Sequence, residues 1–153
     1  MLSRWQKFRG LPWPAQKLFL QALCLLPLVS LAIRLFSFRR TQMALLRALP
    51  AGKIPGQNFD ARWVHQTVRM VRAAADHGPF HGNCLRQSVA LWWLLRRQGI
   101  DSELRIGVRK TDARLEAHAW IEWRGRALNQ GTDMRQRFAA FEKPFLSAPA
   151  ELQ

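Results

Sequence analysis

The feature that most restricts the fold is a change of hydrophobic period at Gly99. Before it, Trp63, Val64, Thr67, Val68 and Val71 repeat at helical spacing, and Val89-Ala-Leu-Trp-Trp-Leu-Leu95 forms the apolar body of another helix. After it the pattern alternates. Glu103–Val108 and Leu115–Trp123 are strand-like, Arg124-Gly125 turns the chain, and Ala127–Asn129 is a short third strand. Helices followed by an antiparallel sheet define an α+β domain.

Capping and breaking residues set the boundaries. Pro14 suits a first helical turn, with Leu18, Ala22, Leu25 and Leu26 on one side, and Pro27 is expected to kink or end that helix. A further helix around Arg40–Leu49 stops at Pro50, and Ala51–Phe59, with Gly52, Pro55, Gly56 and Asn58, reads as a loop. Asp60 caps the next helix, which His77-Gly78-Pro79 ends. Asn83 is the expected N-cap of Leu85–Arg97, closed by Gly99. Residues 1–50 thus form an apolar, basic helical part suited to docking or to covering the core, and residues 51–153 form the part that carries chemistry.

At 153 residues and 48% hydrophobic, the chain can bury the core of one domain. Its net charge is +14, from 24 Lys and Arg against 10 Asp and Glu, which favours acidic partners. The cations are scattered and no nucleic-acid-binding signature accompanies them, so nucleic acid is not the expected partner. Leu18–Ile33 is apolar but has 16 residues interrupted by Gln21, Pro27 and Ser30, where a span needs about 20. It starts too far along the chain, and lacks a small-residue cleavage site, to read as a secretory signal. A core or interface helix is expected there, with contact to a membrane surface as the alternative. Cys24 and Cys84 make no disulfide framework, which points to a reducing, cytoplasmic setting.

Cys84 falls at the start of a helix, where unpaired N–H groups favour the thiolate, the nucleophilic form of cysteine. His118 lies mid-strand in Leu115-Glu-Ala-His-Ala-Trp-Ile-Glu-Trp123, sharing a face with Glu116, Trp120 and Glu122. A nucleophile on a helix and a base on a strand is the arrangement of Cys–His hydrolases and acyl transferases. Small alanines beside His118 and the aromatic Trp120 on its face are expected to leave room for a substrate backbone. An orienting group for the imidazole is sought in Asn129, Gln130 or Asp133. A two-residue turn at Arg124-Gly125 pairs Asn129 with the His118 face, whereas a three-residue loop ending at Arg126 pairs Gln130 with it. Asn83 or His81 is a candidate second oxyanion donor beside the Cys84 N–H. His65, His77 and His81 with Cys84 lack further ligands at metal spacing, so no metal is expected, and no phosphate-binding or dinucleotide loop suggests a cofactor.

The run Asn83-Cys84-Leu-Arg-Gln-Ser-Val-Ala-Leu-Trp-Trp-Leu-Leu-Arg-Arg-Gln-Gly-Ile-Asp101 resembles the nucleophile helix of the lasso peptide leader peptidases, which are transglutaminase-like cysteine hydrolases. Glu103–Lys110, Glu116–Glu122, Leu128-Asn129 and Arg137-Phe138 resemble the segments that follow it, so the likeness runs from about Asn83 to Phe141. It implies a papain- or transglutaminase-like fold and a cysteine protease that removes the leader of a ribosomally made precursor. A separate ATP-dependent lactam synthetase then closes the macrolactam. It further implies Cys84 as nucleophile and His118 as base. From their places beside Cys84 and on the His118 face, Asn83 and Trp120 are the expected substrate-binding residues. The family's acidic third member falls on Gln130, a departure, with Asn129 and Asp133 as alternatives. No strand-rich module precedes Cys84, so a separate leader-binding partner is implied. The competing expectations are a transglutaminase-type amidotransferase, which yields a crosslink rather than two fragments, and a non-catalytic basic binding module.

Overall fold

Helices precede a small sheet, in the order that the change of period at Gly99 requires. A computed structural model of the chain describes residues 9–49, 60–77, 83–112, 114–129 and 134–145. The elements are α1 (Trp13–Arg47), α2 (Ala61–His77), α3 (Cys84–Arg97), β1 (Glu103–Thr111), β2 (Arg114–Trp123), β3 (Arg126–Ala127), α4 (Met134–Arg137) and β4 (Ala139–Ala140).

The break expected at Pro27 lies elsewhere. Helical dihedrals run through the proline, and the non-helical residue inside α1 is Ser37 (φ 70°, ψ 160°), which divides the helix into two arms. A proline deletes one helical hydrogen bond. Here its neighbours Leu25, Leu26, Val29 and Ser30 are all buried, and their packing holds the helix across the gap. The second arm is tied to α3 by Trp93 Nε1, which donates to the Leu45 carbonyl at 3.2 Å.

One core joins the helices to the sheet. Ala22, Leu25, Leu26 and Val29 of α1 meet Val64, Val71 and Ala74 of α2, and both sets pack on Val89, Leu91, Leu94 and Leu95 of α3. Each fully buried side chain of this size contributes ~1.5–3 kcal/mol. Leu104, Ala119 and Ile121 close the core from the sheet. The Asp60 cap forms as expected, accepting from Arg62 N at 2.9 Å. Gly99, with φ 84°, adopts the left-handed conformation that ends α3.

The sheet has the order β3-β2-β1-β4 with antiparallel neighbours. Gly107 of β1 faces His118 of β2, and Glu122 faces Ala127. The β2–β3 connection is the two-residue turn: Arg124 (φ 50°) and Gly125 (φ 74°) both have positive φ, as a type I′ hairpin needs.

The face of β2 that carries His118 is not open along its length. From Trp120 onward it is covered by a second small core of Trp120, Met134 and Phe138. At its end lies Glu122, 4% exposed. Arg135 grips its carboxylate with Nε at 2.7 Å and Nη2 at 2.5 Å, and Trp120 Nε1 donates at 2.9 Å. The Arg135 hydrogen bonds hold the Glu122 carboxyl below its ordinary pKa against the opposing effect of burial.

Candidate active site

Asn83 starts α3 where the sequence expects it. Its backbone is extended (φ −92°, ψ 111°) and its Oδ1 accepts from Leu85 N at 3.0 Å. Cys84 therefore occupies the first helical position, half-buried and with a free thiol beside the unpaired N–H groups of the first turn.

A cleft of about 560 Å³ opens there. Asn83, Cys84, Leu85 and Arg86 line it from the helix, and Ile106, Ala117, His118 and Ala119 line it from the sheet. The two residues expected to carry the chemistry thus border one cavity, with the two small alanines on either side of His118. No hydrogen bond joins Cys84 to His118; unliganded sites are often loose and tighten with substrate. Arg86 was not foreseen as a cleft residue. Its place in the first turn after Cys84 is the signal that points to it, since residues there lie around the helix N-terminus.

The His118 ring is held by stacking. It lies on Phe138 with ring centroids 5.4 Å apart and planes inclined by 26°. The Arg109 guanidinium stands 4.9 Å from the centroid of the same Phe138 ring. Phe138 is fixed by its N–H to the Met134 carbonyl at 2.9 Å. In the sequence Phe138 belongs only to the segment that carries the resemblance, and no periodicity connects it to His118.

Two other expectations are corrected. Trp120 has no exposed surface: it packs with Met134 and Phe138 and bonds Glu122, so it is a core residue rather than a substrate contact. Asn129 does not orient His118. Its Oδ1 accepts from Ile121 N at 2.8 Å and its Nδ2 donates to Ser88 Oγ at 2.8 Å. Ser88 Oγ in turn donates to the Ala119 carbonyl at 3.1 Å. β3 ends at Ala127, so the side that register assigned to Asn129 no longer applies where the chain has left the strand. Its amide instead fastens β2 to α3. Gln130, Asp133 and His81 lie outside the described residues. Among the described residues, no group of three or more His, Cys, Asp or Glu side chains could hold a metal ion.

A cysteine opening a buried helix and a histidine on an antiparallel strand, sharing one cleft, belong to the class of cysteine hydrolases and acyl transferases. The chain is a member of the transglutaminase-like superfamily, whose sequence pattern matches residues 25–143, from within α1 to just beyond β4. Members are typically enzymes that use cysteine catalysis, as proteases or acyl transferases. No curated protein and no solved structure matches the chain.

Proposed function

We propose that this chain is a cysteine peptidase that removes the leader from a lasso peptide precursor, exposing the core α-amine for macrolactam formation. The observation that carries the reading is the shared cleft of Cys84 and His118. The sequence of α3 and β2, which resembles the leader peptidases, narrows it from acyl transfer in general to hydrolysis. Two free cysteines support a cytoplasmic setting. The partners in this reading are the precursor, a leader-binding protein and the ATP-dependent synthetase.

The Cys84 thiolate attacks the carbonyl carbon at the leader–core junction, forming a C–S bond, with the Cys84 backbone N–H as one donor to the oxyanion. Protonated His118 gives its proton to the departing amine as the C–N bond breaks, leaving a thioester on the leader. His118 then takes a proton from water, which attacks the thioester and releases the leader as an acid. With the Asn129 amide engaged elsewhere, Gln130 or Asp133 is the group that holds the imidazole tautomer in this mechanism, beside the Phe138 stack.

The test is to incubate the full chain with precursor and leader-binding partner and follow the products by mass spectrometry. Cleavage at one bond, abolished in Cys84→Ala and His118→Ala and reduced in Gln130→Ala, is expected. A crosslinked product would replace the reading with amidotransfer. An intact precursor with partner and synthetase both present would replace it with a binding role.

A further inference from the structure

A helix that is apolar all round is normally covered on every side, yet α1 is covered on one. Ala15, Leu18, Ala22, Leu25, Leu26 and Val29 are buried against the rest of the fold. The opposite side exposes Leu20, Cys24, Leu28, Leu31 and Leu35, with Leu28 and Leu35 each 62% exposed and Leu31 54%. At 3.6 residues per turn these five fall in one stripe, ~22 Å long. The apolar surface continues into a groove of about 510 Å³ inside the Ser37 elbow, where Leu28 and Phe36 meet Ala44 and Ala48 beside Arg40.

Charge identifies the occupant. The first 59 residues contain nine Lys or Arg and no Asp or Glu. Lys17 lies at one end of the stripe and Arg34, Arg39 and Arg40 at the other, all exposed, while residues 18–33 carry no charge. A second copy packed on this stripe would set cations against cations, Lys17 beside Arg34 in an antiparallel pair and each beside itself in a parallel one. An anionic lipid surface accepts both features: leucines enter the headgroup–acyl boundary while the long basic side chains reach the phosphates. By length and composition α1 could cross a membrane, but its other side belongs to the core, so crossing would dismantle the domain.

We propose that the outer face of α1 lies on an anionic bilayer, holding the catalytic cleft at the membrane surface. The proposal is independent of the substrate assigned above. Flotation of the full chain tests it, with vesicles of phosphatidylcholine alone and of an equal mixture with phosphatidylglycerol at about 0.15 M salt. The wild type is expected to float with the mixed vesicles and not with phosphatidylcholine alone. The double variant Leu28→Glu, Leu31→Glu should stay behind with unchanged circular dichroism, because both leucines are exposed. Replacing Arg34, Arg39 and Arg40 by Gln should lower partitioning about a hundredfold, at roughly fivefold per cation. Equal flotation of wild type and the leucine double variant, equal flotation on both vesicles, or flotation on neither would overturn it. So would a lipid-free dimer, seen by light scattering, that Leu28→Glu dissociates.

Discussion

Gly107→Ala should destabilise the protein through lack of space alone. Gly107 sits opposite His118 in the β1–β2 pair and opposite Ala140 in the β1–β4 pair, so it is hemmed in on both sides. A methyl group there would stand 2.9 Å from Trp120 Cη2, 3.0 Å from Phe138 Cβ and 3.1 Å from the Ala139 carbonyl oxygen. None of the three yields easily. Trp120 is fully buried and tethered to Glu122, Phe138 is packed beneath His118, and the Ala139 oxygen is backbone in a paired strand. Overpacking of this kind costs ~1–3 kcal/mol. The backbone pulls the other way, since Gly107 is not in the left-handed region and alanine there would gain ~0.4–1 kcal/mol by restricting the unfolded chain. The clash wins, leaving a net loss of ~0.5–2 kcal/mol, or roughly 2–6 °C in Tm for a chain of this size. Urea and thermal unfolding read the stability, and precursor cleavage reads the site, because any shift of Phe138 moves the ring on which His118 rests. A variant as stable as the wild type would refute the packing argument. A destabilised variant with unchanged cleavage per folded molecule would refute the link from Phe138 to His118.

Two further residues give separable outcomes. Glu122→Gln should cost ~1.5–3 kcal/mol, the range for hydrogen bonds to a charged group, because the Arg135 left behind is exposed rather than buried. The sign with pH follows from the lowered pKa of Glu122. Its contribution is complete above the unfolded carboxylate value of about 4.3 and is lost as pH falls through the lower folded value. Acid titration of stability should therefore be shallower in Glu122→Gln than in the wild type, and parallel curves would contradict the assignment. Asn129→Ala removes two hydrogen bonds and should cost ~1–3 kcal/mol while kcat/KM per folded molecule stays near the wild-type value. Lost turnover at unchanged stability would return Asn129 to the catalytic group.

What could be read from the sequence was local. Asn83 before Cys84 and Asp60 before α2 specify boundaries through side chains that cap within two residues, Arg124-Gly125 specifies one through its positive φ angles, and the structure uses all three. Pro27 does not break its helix, because a local rule meets a non-local force, the burial of Leu25, Leu26 and Val29. Alternation gives the side of a strand but not what covers it, and Trp120 is core rather than cleft lining. Its cover is Met134 and Phe138, from the far side of the hairpin. A hint was present in Gly107, since glycine inside a strand often marks close approach by another element.

The alternation of β2 divides the site between two layers. Ala119 and Ile121 bind the sheet to α3, which carries Cys84, whereas His118 and Trp120 are held by Phe138, which comes after the hairpin. Cys84 and His118 are therefore positioned by different packing contacts, and the element common to both is the register of β2. A one-residue slip would take His118 off Phe138 and strip Ala119 and Ile121 from the core against α3. Three features oppose that slip: the type I′ turn, the bridge from Asn129 through Ser88 to the Ala119 carbonyl, and the Glu122–Arg135 pair. Each lies on the same half of β2, beyond His118, while Arg114–Ala117 on the other half are exposed. The strand is thus fixed at its buried end and delivers His118 to the cleft where its exposed half begins, with its register secured elsewhere.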